Sequence, residues 1–145
     1  MEIITIGKKD ETKKYDFRET CFGIYIKNNE LLVTIDPKRN QYTFIGGGIE
    51  PNESHEETLK REFIEEVGIK IDKIKEFITI DCFWLASGDF PMESLAHFYK
   101  IETLEYIDNI ETEGEYKFIN INDLDLPLPY QEKALEIIKE TNLSS

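Results

Sequence analysis

The feature that most constrains this chain is a short helix whose two ends are both marked in the sequence, between residues 54 and 68. Ser54 is followed three residues later by Glu57, which is the spacing of a capping box, so the helix is predicted to begin near His55. Gly68 can adopt the left-handed conformation that ends a helix. One face must be buried, because apolar residues recur there every four positions: Leu59, Phe63 and Val67.

The rest of the chain is predicted to alternate short strands with turns, and to end in a second helix. A hairpin turn at Asn28-Asn29 is expected to join the first two strands, and the turn-rich segment 86–93 is expected to be a loop between two later strands. The predicted strands are 19–27, 30–36, 42–45, 73–84, 94–104 and 115–121, and the second helix is 130–140. This pattern favours one domain over residues 1–145, of the α+β or the α/β/α layered class.

Charge and composition limit the partners. The net charge of −13 leaves no basic stripe for a nucleic acid polymer, but a small phosphorylated ligand can bind if a metal cation screens the acids. No apolar run is long enough to cross a membrane, and the N-terminus lacks the pattern of a signal peptide. Cys21 and Cys82 lie in apolar, strand-like surroundings, so we expect buried free thiols in a reducing cytosol and a cytoplasmic protein.

Three glutamates are predicted to crowd one side of the first helix. Glu62, Glu65 and Glu66 have the i, i+3, i+4 spacing that brings helical side chains together, whereas Lys60 and Arg61 are expected to point elsewhere on the helix. Such a cluster is either a solvated acidic face or a set of oxygen ligands for Mg²⁺ or Mn²⁺, and helix spacing alone does not decide between them.

A run of three glycines favours the ligand interpretation. Residues 46–48 are predicted to form a loop without side chains directly before the acidic helix. Such a loop allows a backbone to approach a metal ion or a phosphate closely.

The same segment resembles the Nudix box, G-x5-E-x7-R-E-U-x-E-E-x-G-U, in which U is a bulky apolar residue. Gly47 is followed after five residues by Glu53, and after seven more by the run REFIEEVGI at 61–69. The two U positions hold Phe63 and Ile69. Many relatives have proline before the first glycine of this loop, where this chain has Ile45, so a fixed φ angle is lost but no ligand is removed.

The resemblance implies an α+β fold, an α/β/α sandwich with a mixed sheet between helices. It also implies hydrolysis of a pyrophosphate bond in a nucleoside diphosphate linked to another moiety, with Mg²⁺ or Mn²⁺. It implies that Arg61 and Glu53 form a structural pair, and that Gly47 and Gly48 belong to the same structural motif. Glu62 and Glu65 are the first candidates for the catalytic base, although some relatives use a glutamate of a late loop, which here offers Glu111, Glu113 and Glu115. The implied metal ligands are Gly46, through its carbonyl, and Glu62, Glu65 and Glu66.

The substrate is less constrained. For substrate binding we expect Trp84, Phe90 and Glu113, while His55, predicted to be exposed, and His97 are assigned no catalytic role. Sub-family tags outside the box are not evident, which favours a MutT-like enzyme acting on nucleoside triphosphates. The alternatives are an ADP-ribose, nucleotide-sugar or dinucleotide pyrophosphatase, and a catalytically silent nucleotide sensor. The chain is expected to be a monomer or a homodimer.

Overall fold

The computed structural model describes residues 1–141 and contains nine strands and two helices within them. The strands are β1 (Ile3–Ile6), β2 (Asp16–Ile24), β3 (Ile26–Lys27), β4 (Glu30–Asp36), β5 (Gln41–Thr43), β6 (Ile45–Gly48), β7 (Ile69–Ala86), β8 (Phe90–Tyr106) and β9 (Tyr116–Asn120). The helices are α1 (His55–Val67) and α2 (Pro129–Thr141). The α+β prediction and both predicted helices are confirmed.

The larger sheet is mixed and has the strand order β1-β7-β8-β2-β6. β1 pairs with β7 and β2 pairs with β8 in parallel, while β7–β8 and β2–β6 are antiparallel. A smaller sheet is built around β4, which pairs with β3, β5 and β9. The parallel β2–β8 pairing aligns Cys21 with His97 and Phe22 with Phe98. Because successive side chains of a strand alternate, Cys21 and Phe22 point to opposite faces of the sheet.

Each face of the larger sheet is covered by one helix. Cys21 packs with the buried face of α1, whereas its neighbour Phe22 packs with α2, because successive side chains of a strand point to opposite faces. The α1 side contains Leu59, Phe63 and Val67, as the periodicity predicted. The α2 side contains Tyr130, Ala134, Leu135 and Ile138. This is the α/β/α arrangement expected from the sequence.

The predicted hairpin at Asn28-Asn29 is confirmed. Lys27 pairs with Glu30, and both asparagines have positive φ angles of 53° and 64°, which a two-residue turn of this kind requires. β2, however, begins three residues earlier than predicted and ends at Ile24, so the predicted strand 19–27 is two strands separated by Tyr25.

The segment 86–93 is not the predicted loop. β7 and β8 continue their pairing out to Ala86 opposite Phe90, and only residues 87–89 turn. Gly88 and Asp89 supply the positive φ angles of this tight turn. Pro91 is accommodated near the strand end, since β2 begins to pair with β8 only at Met92.

The glycine run is also a strand rather than a loop. Gly46, Gly47 and Gly48 pair with Phe22, Cys21 and Thr20 of β2. Residues 42–45, predicted as one strand, are divided between β5 and β6 around the buried Phe44. The glycines therefore lie in the sheet, beside the second half of α1, instead of forming a loop that leaves the sheet.

Candidate active site

Local sequence sets where α1 begins and ends. The Ser54 side chain accepts from the Glu57 N–H and the Glu57 carboxylate accepts from the Ser54 N–H, so the capping box is formed. Gly68 ends the helix at φ 67°, ψ 37°, in the left-handed conformation. With both ends defined and the apolar face buried, the glutamates of the second half of α1 are held in one rotational position.

Glu62 lies against the backbone of β6. A Cβ atom added to Gly47 would lie 2.8 Å from the carboxyl carbon of Glu62, so any side chain at this position displaces that carboxylate. Burial raises the pKa of Glu62 above its ordinary value. The positive charge of Arg61 partly offsets this increase, and the negative charges of Glu65 and Glu113 add to it. Gly47 is thus required by the close approach of the helix to the strand.

Glu66 is the most enclosed of the three clustered carboxylates. Its Oε2 accepts a hydrogen bond of 3.0 Å from the Gly46 N–H. Burial raises the pKa of Glu66 to about 8, and the negative charges of Glu62, Glu113 and Glu65 add to the increase. A carboxylate with one donor and three acidic neighbours is poorly stabilised by the protein alone.

Arg61 does not point away from the glutamates, contrary to the prediction. Its Nη1 donates to Glu62 at 2.8 Å and to Glu65 at 3.1 Å. Its Nε donates to Glu53 at 2.6 Å, and its Nη2 donates to Glu53 and to the Gly48 carbonyl. The long, forked guanidinium spans a larger part of the helix surface than the position of its Cα suggests.

Arg61 and Glu53 form the ion pair implied by the family resemblance. Hydrogen bonds from Arg61 and then from Thr58 lower the pKa of Glu53 to about 2. Because Arg61 also holds the carbonyl of Gly48, this network ties the segment before α1 to the end of β6.

The donor set fits a hard divalent cation. Glu62 and Glu66 both have raised pKa values because they are buried beside other acids, and Glu65 extends the cluster toward solvent. One guanidinium does not neutralise three carboxylates. Mg²⁺ and Mn²⁺ prefer oxygen ligands, and a cation among these side chains would remove both the repulsion and the cost of burial.

Of the three acids in the late loop, Glu113 is brought to this cluster. The N–H groups of Glu113 and Gly114 donate to the carbonyls of Glu65 and Glu66, two of the carbonyls that a helix leaves unpaired at its end. Glu113 and Glu66 also line a cavity of about 120 Å³ with Asp36 and Thr43. All three of these glutamates are exposed, but of the three only Glu113 lines this cavity.

A larger cavity of about 430 Å³ opens on the other side of β6. Gly46 and Gly47 line it, and Asp36 and Thr43 line both this cavity and the smaller one beside Glu66. The two cavities are therefore neighbours that share part of their lining.

Aromatic and polar side chains line the larger cavity. Trp84 packs edge-on against Tyr130, with ring centroids 6.1 Å apart, and its Nε1 donates to Ser94. The buried Gln131 accepts the Phe44 N–H through Oε1, and the Thr20 hydroxyl is buried without a hydrogen-bond partner in the described chain. Trp84 lines this cavity; its contact with substrate stays a prediction.

Phe90 does not line the cavity. It lies beside the β7–β8 turn and is 50% exposed, because the hairpin extends beyond the cavity wall. Met92, two residues further along, faces the cavity instead.

Sequence reasoning missed Arg18, Arg39 and Gln131. The only signal available was the scarcity of arginine, since the chain has three and Arg61 belongs to the motif. Arg18 and Arg39 both line the larger cavity, and neither forms a salt bridge within residues 1–141.

The two histidines lie together, away from the glutamates. The rings of His55 and His97 stack with centroids 4.3 Å apart, and Glu19 completes a cluster with them. His55 is half-buried, so the prediction that it is exposed is wrong; α1 begins against the sheet, and the ring fills the gap between them.

Among residues 1–141, no helix is both long and apolar enough to cross a membrane. Cys21 and Cys82 are buried free thiols, as predicted, and burial raises their pKa values to about 12 and about 11.

Known proteins resemble this chain in sequence and in fold. An 8-oxo-dGTP diphosphatase of Buchnera aphidicola subsp. Schizaphis graminum is 38% identical over 72 residues, which are 47% of this chain and 55% of that protein. The match thus spans about half the length of that curated relative.

Solved structures share the fold at low sequence identity. A MutT Nudix hydrolase from Burkholderia pseudomallei has a TM-score of 0.68 at 21% identity, covering 83% of this chain and 97% of that chain. The MutT protein from Bacillus halodurans also has a TM-score of 0.68 at 21% identity, covering 88% and 83% respectively.

The model of the NUDIX domain family matches residues 18–141, which include the glutamate cluster, β6 and both helices. The chain belongs to the NUDIX domain family.

Proposed function

We propose that this protein is a divalent-metal-dependent hydrolase that cleaves a pyrophosphate bond in a nucleotide, with nucleoside triphosphates, the MutT-like class, as its preferred substrates. The substrate is a small molecule, and a polymeric nucleic acid is disfavoured by the net charge of −13.

The observation that carries this proposal is the position of β6 between two chemically different regions. On one side, Gly46 and Gly47 contact the carboxylates of Glu66 and Glu62. On the other side, the same two glycines line the 430 Å³ cavity. A nucleotide in the cavity can therefore extend its phosphates past a backbone without side chains toward the acidic cluster.

We assign the ligand role to Glu62, Glu65 and Glu66, with the Gly46 carbonyl as a further ligand. Bound Mg²⁺ or Mn²⁺ supplies neutralisation of the diphosphate charge and lowers the pKa of water. The protein supplies orientation: Arg61 holds Glu62 and Glu65 through one nitrogen, and the Gly46 N–H holds Glu66.

Glu62 and Glu65 are the proposed candidates for the base that accepts the proton from the attacking water. Glu62 has the stronger support, since burial raises its pKa above the ordinary value of a glutamate. Glu65 is more exposed, with 44% of its side chain accessible, and it shares the Arg61 Nη1 donor. Glu113 faces Glu66 across the smaller cavity and is the late-loop alternative.

The cavity suits a nucleobase and its polar edge. Trp84 and Tyr130 offer aromatic surface, and the Gln131 Oε1 accepts the Phe44 N–H, which leaves the NH₂ group of Gln131 as the donor that a ligand could use. The Buchnera relative is an 8-oxo-dGTP diphosphatase, so oxidised and ordinary purine triphosphates are the substrates that this likeness favours.

Arg18 and Arg39 add positive charge at the same cavity. Both guanidinium groups act on the pKa of Tyr130 and therefore lie near it. In a chain with 30 acidic residues, two cations without ion-pair partners in residues 1–141 favour an anionic ligand.

The proposal is tested by phosphate release from a substrate panel in Mg²⁺ and, separately, in Mn²⁺. Reactions read through added inorganic pyrophosphatase report triphosphates cleaved to monophosphate and pyrophosphate. Reactions read through alkaline phosphatase report capped diphosphates, such as ADP-ribose, nucleotide sugars and dinucleotides. Signal from triphosphates supports the proposal; signal confined to capped diphosphates keeps the chemistry but overturns the substrate class.

A catalytically silent nucleotide sensor is the rival function. It predicts tight nucleotide binding with no turnover of any panel member in either metal. The crowded, buried carboxylates favour the enzyme, because binding a nucleobase alone does not require Glu62 and Glu66 to be held against the β6 backbone.

A further inference from the structure

Both histidines of the chain meet in one place. His55 is the first residue of α1, and His97 lies in β8, 42 positions later in the sequence. Their rings stack with an interplanar angle of 30°. Because the chain has only these two histidines, their meeting cannot be a by-product of abundant histidine.

Glu19 of β2 completes the cluster. Its Oε2 lies 2.6 Å from the Nε2 of His97, and one ligand atom from each of the three residues lies within 4.8 Å of the others. β2 and β8 are adjacent central strands, and α1 is fixed there by its capping box. The three side chains therefore extend from rigid elements.

Each imidazole has one nitrogen held by a hydroxyl group. The Nδ1 of His97 lies 2.8 Å from the Thr79 hydroxyl, and the Nδ1 of His55 lies 2.6 Å from the Tyr99 hydroxyl. Such outer contacts orient the rings of metal-binding histidines. At His97, a cation would take the place of the proton shared between Nε2 and the Glu19 Oε2. The Nε2 of His55 has no hydrogen-bond partner within residues 1–141.

Burial and the neighbouring His97 lower the pKa of His55, which favours the neutral ring with a free lone pair. Two imidazole nitrogens and one carboxylate are a ligand set that Zn²⁺ accepts, with water in the fourth position. Mg²⁺, in contrast, prefers oxygen ligands alone.

We propose that Glu19, His55 and His97 form a second divalent-cation site, suited to Zn²⁺ and separate from the glutamate cluster. His55 and Glu62 are seven residues apart on α1, which is about 10 Å along a helix axis. Tetrahedral Zn²⁺ would draw the ligand atoms to about 3.3 Å from one another by rotation of the side chains. The bound ion would fasten the start of α1 to β2 and β8.

The test uses the full chain, free of any affinity tag, carrying E62Q, E65Q and E66Q so that the first cluster no longer binds cations. Zn²⁺ is titrated while the imidazole nitrogen resonances are followed by NMR; with two histidines in the chain, every such signal reports this cluster. We expect both rings to shift together at one equivalent of Zn²⁺, a visible absorption band when Co²⁺ replaces it, and a higher melting temperature.

His97→Gln removes one of the three ligands and should weaken Zn²⁺ binding. If this variant fails to fold, two others keep the test falsifiable. H55Q and E19Q change partly exposed groups, and each should weaken Zn²⁺ binding by more than about tenfold. E76Q is the matched control, because Glu76 acts on the pKa of His55 but is not one of the three ligands, and it should bind Zn²⁺ as the parent does. Unshifted imidazole signals at excess Zn²⁺, or undiminished binding by H55Q and E19Q, would overturn the proposal. Because this site shares no ligand with the glutamates, the test is independent of the proposed hydrolysis.

Discussion

The glutamates at the two ends of α1 have pKa values that are shifted in opposite directions. Before the helix, Glu53 receives hydrogen bonds from Arg61, Thr58 and the Glu50 N–H, and its pKa falls to about 2. In the last turns, Glu66 has a single N–H donor and three acidic neighbours, and its pKa rises to about 8.

The difference comes from the supply of donors rather than from the residue type. At the start of α1, each charge is matched by a group that stabilises it, so the carboxylates strengthen the fold. At the end of α1, the fold holds carboxylates together without enough donors, which costs stability, as expected for the proposed cation site.

The largest expected effect comes from Glu66→Gln, which removes one carboxylate from the crowded end. We expect turnover to fall at least about 100-fold, because a proposed metal ligand is lost, while the fold is retained. Steady-state kinetics in Mg²⁺ and circular dichroism measure the two effects. Glu56→Gln is the matched control, since Glu56 lies on the same helix but pairs with Lys60 and should retain full activity. Full activity of Glu66→Gln would contradict the assignment.

Gly47→Ala should displace Glu62 without unfolding the protein. The new Cβ would lie 2.8 Å from the Glu62 carboxyl carbon, and the end of a side chain moves more easily than a backbone. We expect kcat to fall about tenfold or more, with a small change in melting temperature. Gly48→Ala is the control, because its Cβ would meet only Arg18, at 3.8 Å. Equal kcat values for the two variants would show that the position of Glu62 does not matter.

The opposite pKa shifts predict opposite pH slopes in the free energy of unfolding of the metal-free chain. The pKa of Glu53 is lowered from 4.5, so its contribution to the free energy of unfolding is present above about pH 4.5. That contribution is lost as the pH falls toward about 2. The pKa of Glu66 is raised from 4.5, so its contribution to the free energy of unfolding is present below about pH 4.5. That contribution is lost as the pH rises through about 8.

Urea unfolding from pH 3 to about pH 9 measures both slopes. Glu53→Gln should remove the acid-side loss, and Glu66→Gln should remove the decline toward about pH 8. Saturating Mg²⁺ should raise stability most near pH 8, where the glutamate cluster is most repulsive. If the free energy of unfolding of Glu66→Gln has the same pH slope as that of the parent, the Glu66 carboxylate does not destabilise the parent.

The smallest expected effect lies at the mouth of the cavity. Arg39→Gln should raise KM for a triphosphate about 3- to 5-fold and leave kcat nearly unchanged, since an exposed charge contributes modestly to binding. Lys38→Gln, next in sequence but outside the cavity lining, is the control. A matching rise in KM for both variants would indicate a general effect of net charge.

Local signals predicted the elements correctly wherever the cause was also local. The capping box, the Gly68 stop and the Asn28-Asn29 turn each depend on residues within a few positions, and each is present. The same reasoning failed for Gly46–Gly48 and for segment 86–93, because strand pairing with a distant partner overrode the local preference for a turn.

Site residues divide in the same way. The spacing of Glu62, Glu65 and Glu66 predicted their clustering, whereas the contact of Glu113 with the end of α1 depends on where a loop some 45 residues later is placed. Trp84 was predicted to bind substrate and lines the cavity, whereas the same prediction for Phe90 was wrong. The length of the β7–β8 hairpin decides which aromatic residues reach the cavity wall.

By itself, the sequence determined the acidic helix, its two ends, its buried face and the motif that places the chain in its family, because each is a periodic or short-range pattern. Only the tertiary structure decided which side chains face one another across elements. The arginines at the cavity, the loop N–H groups that donate to the carbonyls of α1, and the Glu19–His55–His97 cluster all depend on strand order and register. Those long-range pairings are set by burial of both faces of one sheet, which no single segment of the chain contains.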